Sequence, residues 1–291
     1  MHLFLLTDGL RPPTRAPRFF ARSFADPHPL PWPARYRIIA GLICASPTQA
    51  ETTTVKPIRL VCATRSPRET FLTHTALGLS LSLYRFPQAP ELLLFDNNTR
   101  GLPLIYNVAI DAAKKDPAIL VFVHDDIWLN DFYWLERIRE AVQHFDIAGV
   151  AGNRRRVAQQ AAWAFVKANP DVDGSQPSHF NWDEPQYLSG AVGHGKMFPC
   201  EVSRYGPSGV ECKLLDGLLL IADSEKLAAH DLRFDERFDF HFYDLDFCRQ
   251  AELRNMKMGT WPISVVHESA GAFATPRWHA GYKKYLEKYG E

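Results

Sequence analysis

The chain has 291 residues, 46% of them hydrophobic, with 33 basic side chains against 33 acidic ones and a formal net charge of zero. That length allows one large domain or two small ones around a sizeable core. The charge balance gives no reason to expect nucleic acid or an anionic membrane as partner, and no apolar run reaches the roughly 18 residues of a membrane span.

The first 56 residues stand apart from the rest. Residues 1–50 hold eight of the 21 prolines and six arginines but only two acidic residues. A basic, acid-poor transit peptide has this composition, but so has a disordered extension or a start assigned too far upstream. The apolar piece Ile38 to Ala45 comes too late for a secretory signal. Residues 1–56 are therefore expected to be an extension, and residues 57–291 the folded domain. The cysteines, Cys44, Cys62, Cys200, Cys212 and Cys248, are odd in number and form no CxxC pair. Reduced thiols in a cytoplasmic protein fit that better than a disulfide framework.

From Pro57 on, strand and helix signals alternate. Ile58 to Ala63 reads as a strand, and Ser66-Pro67-Arg68-Glu69 as a helix start with Ser66 as N-cap and Glu69 closing a capping box. Glu91 to Phe95 is a second strand ending at Asp96-Asn97-Asn98. Leu102, Ile105, Ala109 and Ala112 recur at helical spacing. Ile119 to Val123 is a β-branched and aromatic run that ends abruptly in His124-Asp125-Asp126. Asp131 can cap a helix with Leu135, Ile138 and Val142 on one face, and Ile147 to Ala151 is a short strand. This order argues for a Rossmann-like, mostly parallel sheet flanked by helices.

Residues 153–211 break the rhythm with Gly, Pro, Ser, Asn and aromatics, including Trp163, Trp182, Tyr187 and Tyr205. A structureless stretch of that length points to function or mobility; its aromatics could stack on a sugar or simply pack on one another. Leu214 to Ala222 reads as a strand interrupted by Asp216-Gly217, where glycine can mark a close approach. Asp244 and Asp246 open a helix that turns Phe247, Ala251 and Leu253 to the core, and can complement its dipole. Ile263 to Val266 is a strand ending in His267.

Ligands bind outside the carboxyl ends of strands in open α/β sheets. Carboxylates there suit a hard divalent cation that itself holds a phosphate. For Asp125 and Asp126 alone, opening a loop is an equal reading.

Taken in order, Val121-Phe122-Val123-His124-Asp125-Asp126, Asp216-Gly217, Tyr243-Asp244-Leu245-Asp246 and Val266-His267 resemble the motifs of GT-A glycosyltransferases, and more closely their family-2-like bacterial group. The resemblance covers roughly Ile58 to Gly271 and implies a GT-A fold. His124 stands where many relatives carry the first aspartate of an Asp-x-Asp motif, and Asp126 matches the second. Asp244 falls at the catalytic base of a Glu-Asp-x-Asp motif, with Tyr243 in place of the glutamate. The resemblance implies Asp126 and His267 as ligands of Mn²⁺ or Mg²⁺. It places the substrate-binding positions at Ala63, Thr64, Arg65, Asp96, Asn107, Asp125, Asp216 and Gly217, with Asp96 near uracil. Residues 57–152 would be the nucleotide-binding half and residues 153–291 the acceptor half.

The implied activity is metal-dependent, inverting transfer of a single sugar from a nucleotide-diphosphate sugar, a UDP-sugar first, to a glycan or lipid-linked acceptor. The Gln-x-x-Arg-Trp signature of processive polysaccharide synthases is lacking. Two further readings stay open: a non-catalytic nucleotide-sugar-binding module of a glycan-assembly complex, and a nucleotidyltransferase. The latter would need a basic triphosphate loop early in the chain, where only Arg65 and Arg68 stand.

Overall fold

The computed structural model describes residues 55–86, 89–170, 177–269 and 271–290, so nearly all of the expected 1–56 extension lies outside the described residues. Lys56, at the edge of that extension, is tied in: its Nζ lies 2.6 Å from both Asp223 and Glu225, and Arg139 donates to its carbonyl at 2.7 Å.

The elements in chain order are β1 (Ile58–Ala63), α1 (Arg68–His74), α2 (Ala76–Leu83), β2 (Glu91–Phe95), α3 (Leu102–Ala113), β3 (Ile119–Val123), β4 (Ile127–Leu129), α4 (Trp134–His144), β5 (Ile147–Gly149) and β6 (Ala151–Asn153). There follow β7 (Phe165–Pro170), β8 (Pro177–Trp182), β9 (Leu188–His194), β10 (Glu201–Gly206), β11 (Leu214–Leu215), β12 (Leu219–Asp223), α5 (Ser224–Ala229), α6 (Tyr243–Leu253), β13 (Met258–Thr260), β14 (Val265–His267) and α7 (Pro276–Tyr289).

Six strands form a central mixed sheet in the order β13-β5-β12-β3-β1-β2. β1 pairs parallel with β2 and β3, and β13 parallel with β5, while β12 is antiparallel to both of its neighbours. Five strands thus run one way and β12 alone runs back. Every residue of β3 is buried, as expected of a strand covered on both faces. Leu102, Ile105, Tyr106, Ala109, Ile110 and Ala113 line the buried face of α3, and Pro103 fits its first turn.

A second sheet, β11-β6-β9-β14-β4, with β10 beside β9, stands next to the first. The chain crosses from one sheet to the other at His124–Asp126, at Val150 and at Asp216–Leu218. Backbone bonds tie these crossings together: His124 N–H donates to the Leu218 carbonyl at 3.1 Å, and Asp216 N–H to the Ala151 carbonyl at 2.9 Å. β14 lies in the second sheet between β9 and β4, with His267 opposite Ile127. No helix among the described residues is long and apolar enough to cross a membrane.

Several local expectations are corrected. Residues 153–211 are not structureless: β7 pairs with β8 and β9 with β10 in antiparallel ladders. The Leu214 to Ala222 strand is two strands in different sheets, with Asp216-Gly217 as the turn between them. Ile147 to Ala151 likewise splits at Val150. Ser66 does not cap α1; Pro67 precedes the helix, and the Ser66 N–H donates to Thr64 Oγ1 at 3.1 Å. Asp131 accepts from Tyr133 N–H at 2.8 Å, a turn ahead of α4 rather than its N-cap. Leu253 ends α6 at 70% exposure, because the helix has by then turned its apolar face away. Ala112 of α3 is exposed too, and Ala113 takes the core position.

Candidate active site

β3 and β14 deliver the first group of residues. Where β3 leaves the central sheet, His124 and Asp126, two residues apart, face the same side. β14 brings His267 against them. His267 Nε2 lies 3.2 Å from Asp126 Oδ2, and His124 Nδ1 lies 4.0 Å from Asp126 Oδ1. One ligand atom from each of the three lies within 4.8 Å of the others, and they are the only such cluster of three among the described residues. Among the described residues, Asp126 Oδ1 is buried with no hydrogen-bond partner. An orphaned carboxylate oxygen facing two imidazoles is the environment a divalent cation would satisfy. Such ions bind oxygen and nitrogen at roughly 2.0–2.3 Å, so the three residues fit the group with little movement.

Electrostatics already favours the ionised carboxylate. Burial opposes the charge on Asp126, yet its bond to His267 and the nearby His124 hold it down to about 2. Burial also opposes a charge on His267, but Asp126 outweighs it and raises its pKa. Burial, aided by His267, lowers that of His124. Ser269 Oγ lies 2.9 Å from His267 Nε2 and completes this corner.

α6 and the Asp216–Leu218 crossing supply a second group. Phe242, in the left-handed region at φ 67°, turns the chain into α6. Trp278, Tyr282 and Tyr285 pack against its ring and hold that conformation. Tyr243 and Asp244 then project from the first turn toward the crossing. Gly217 N–H donates to Asp244 Oδ2 at 3.1 Å. Burial, with the charge of Asp216 next to it, pushes the Asp244 carboxyl up to about 7. Asp216 accepts from Trp163 Nε1 at 2.8 Å and from Leu218 N–H at 3.1 Å. Asp246, two residues on, is fully buried and bound by Lys288 and by Tyr289 Oη from α7.

Tyr243 links the two groups. Its hydroxyl donates to the Gly217 carbonyl at 2.8 Å and lies 2.9 Å from His124 Nε2. The space is tight: a Cβ on Gly217 would meet Tyr243 Oη at 2.4 Å. Glycine at 217 is thus needed for close approach by Tyr243 and Asp244.

Of the residues expected from sequence, the structure brings Asp126, His267, Asp125, Asp216, Gly217 and Asp244 to these crossings. Asp125 accepts from Thr64 Oγ1 at 2.6 Å, which ties the end of β1 to the same place. Ala63 and Thr64 leave β1 at the carboxyl edge of the sheet, with Arg65 exposed beyond them. Asp96 follows β2 at that edge and pairs with Arg68 at 2.8 Å. Asn107 is different. Midway along α3 and buried, it donates to the Phe234 carbonyl and Glu236, and accepts from Phe234 N–H. Those bonds fasten the 234–236 loop and occupy its amide.

Sequence reasoning read His124 and Tyr243 as departures from a motif; the structure makes both part of the site. The i, i+2 spacing of His124 and Asp126 at a strand end was the available signal for His124. Nothing local announced Tyr243 as its partner. Phe240, stacked on the His124 ring at 5.9 Å, was also missed.

No protein-family model and no curated protein matches the chain. Among solved structures it is similar to residues 1–349 of S. aureus TarS, with TM-score 0.40 and 16% identity, covering 73% of this chain and 60% of that one. It is also similar to GalNAc-T7 crystallised with UDP, GalNAc and Mn²⁺, with TM-score 0.43 and 11% identity, over 81% of this chain and 48% of that one. A third is A197 from STIV, at TM-score 0.38 and 6% identity. The chain thus spans less than two thirds of the first two, and scores this low say nothing about what it binds or does.

Proposed function

We propose that the chain is a metal-dependent, inverting glycosyltransferase that moves one sugar from a nucleotide-diphosphate sugar, a UDP-sugar first, to a glycan or lipid-linked acceptor. One observation carries the reading. A cluster suited to a divalent cation and a carboxylate with a pKa near 7 share one mouth of the sheet, joined through Tyr243.

Each residue has a role in that chemistry. Asp126 and His267, with His124 beside them, would hold Mn²⁺ or Mg²⁺. When bound, the cation would neutralise charge developing on the leaving nucleoside diphosphate. Asp244, fixed at Oδ2 by Gly217 N–H, takes the proton from the acceptor hydroxyl as that oxygen attacks the anomeric carbon. A pKa near the working pH suits a base of this kind. Asp216, held by Trp163 and Leu218, keeps that pKa up and orients the acceptor. Convergence of base and donor at one place supplies proximity, and a single in-line displacement inverts the anomeric centre. Ala63, Thr64, Arg65 and Asp96 line the nucleotide side, within residues 57–152. Residues 154–170 and 177–211 would cover the acceptor side, where Trp182, 56% exposed and stacked on Tyr205, offers an aromatic face.

The test is release of UDP from a panel of UDP-sugars, with and without Mn²⁺ and with and without glycan acceptors. Cation-dependent release that rises with an acceptor, giving a product of inverted configuration, is expected. Binding of UDP without turnover under any condition would instead make the chain a nucleotide-sugar-binding module.

A further inference from the structure

We infer that Tyr243 is a positioning residue that fixes His124 with its proton on Nε2 and its lone pair on Nδ1, making His124 the third ligand of a centre that favours a transition-metal ion over Mg²⁺. The inference rests on the cation site proposed above and concerns how that site is built.

The argument is one of donors and acceptors. A carbonyl oxygen can only accept, so the bond between Tyr243 and the Gly217 carbonyl uses the single hydroxyl proton of Tyr243. Toward His124 the hydroxyl then offers only a lone pair. His124 Nε2, at 2.9 Å, must therefore be the donor. With the proton on Nε2, Nδ1 is the ring nitrogen left to hold a lone pair. Nδ1 is also the nitrogen directed at Asp126, 4.0 Å from the oxygen that has no other partner. Donation of the second ring N–H to a nearby oxygen is the usual way a metal-binding histidine is held in its tautomer. Here a tyrosine hydroxyl is that oxygen.

The surroundings hold this arrangement in place. Tyr243 is only 2% exposed, and its hydroxyl is aligned by the Gly217 carbonyl, with no room for a side chain at 217. Phe240 stacks on the His124 ring at an interplanar angle of 24° and fixes its plane. The resulting ligand set is two imidazole nitrogens and one carboxylate. Mg²⁺ is a hard cation served by carboxylates, phosphates and water, so two imidazole nitrogens disfavour it relative to a first-row transition-metal ion, the more so from Mn²⁺ to Co²⁺.

Ring ¹⁵N spectra of the metal-free protein, with His124→Gln to assign the signal, report the tautomer directly. The Nε2–H form is expected for His124, giving way to a mixture in Tyr243→Phe. Calorimetric titration should show Mn²⁺ or Co²⁺ bound more tightly than Mg²⁺, and Tyr243→Phe should weaken Mn²⁺ by roughly 10–100-fold. A native His124 protonated on Nδ1 overturns the inference, and that spectrum needs no variant that could fail to fold. Equal Mn²⁺ affinity in a folded Tyr243→Phe protein also overturns it, and Mg²⁺ binding as tight as Mn²⁺ overturns the choice of ion. If the tautomer and the Mn²⁺ losses are as expected but no sugar is transferred, the proposed activity fails and this inference stands. If sugar is transferred while Tyr243→Phe keeps its Mn²⁺ affinity, the reverse holds.

Discussion

Asp126 and Asp244 lie at the same mouth of the sheet, and their surroundings drive them in opposite directions. Asp126 faces two imidazoles and is held down to about 2, although burial alone would raise it. Asp244 has no cationic partner among the described residues, and burial together with the like charge of Asp216 raises it to about 7. One carboxylate is therefore ionised at any working pH, and the other is close to half-titrated at neutrality. Two titratable groups pushed apart by their neighbours are how one site separates an electrostatic role from a proton-transfer role. Residue type says nothing about which is which; the partner does.

The strongest way to break the comparison is to remove the base. Asp244→Asn keeps the shape of the side chain and can still accept from Gly217 N–H. Turnover should fall by roughly 10²–10⁴-fold, with donor affinity little changed. Equal loss of donor binding would move Asp244 to the metal corner. The variant should also change stability with pH. Because the folded pKa is raised, the native protein loses stability as pH climbs from about 3.8 toward about 7. Asp244→Asn lacks that loss, so its advantage over the parent should widen across this window in thermal melts.

Asp246 sharpens the contrast from two residues away. It is fully buried and clamped by Lys288 and Tyr289 of α7, so its work is to fasten that helix. Asp246→Ala leaves Lys288 with Asp235 alone. Removing one member of a buried pair costs about 3–5 kcal/mol, and the surviving partner should keep the loss near the lower end. Denaturant unfolding should register that loss, while turnover per folded molecule stays within a few-fold. A larger effect of this variant than of Asp244→Asn on turnover would mean the wrong carboxylate has been assigned.

The difference between these neighbours was only half legible in the sequence. Runs with a clear period, such as Ile119 to Val123, Glu91 to Phe95 and the start of α6, could be placed because their burial pattern is written locally. The strand-end positions Asp126 and His267 followed from the same runs. Three-residue strands such as β4 and β6 are too short to show a period, so the second sheet went unseen. β12 carries the same apolar pattern whether it runs with its neighbours or against them. The pairing of Tyr243 with His124 spans 119 residues and joins two side chains that each looked like a lapse from a motif. Caps failed at Ser66 and Asp131 for a related reason: these residues satisfy turns one or two positions ahead of the helices they were expected to start.

At the metal corner the expected effect is a loss of ligand-linked stability. A cation present at about 100 times its Kd should stabilise the native protein by about 2.7 kcal/mol. Asp126→Ala removes the one carboxylate of the cluster, so Mn²⁺ should no longer raise its Tm. The cation-free Tm should fall as well, because the variant loses the ion pair with His267 that holds the carboxyl down, so the readout is the Mn²⁺-induced shift within each protein. A variant that keeps the full Mn²⁺ shift would place the ion elsewhere and dissolve the contrast between the corners.

The finest adjustment is to the second cause of the raised Asp244 carboxyl. Burial is the larger cause and the charge of Asp216 the smaller. Asp216→Asn removes that charge, and its single amide oxygen keeps one of the two bonds that Trp163 Nε1 and Leu218 N–H make to separate carboxylate oxygens. The pKa of Asp244 should then fall, yet stay above the ordinary carboxylate value because the burial is unchanged. Carboxyl ¹³C titration of Asp244 measures this without any substrate. For the proposed transfer, kcat/KM of the parent protein should rise with pH through about 7 as Asp244 ionises, and in Asp216→Asn the midpoint of that rise should move to lower pH by the same amount. A midpoint that does not move, alongside an Asp244 titration that does, would show that some other group limits the rate.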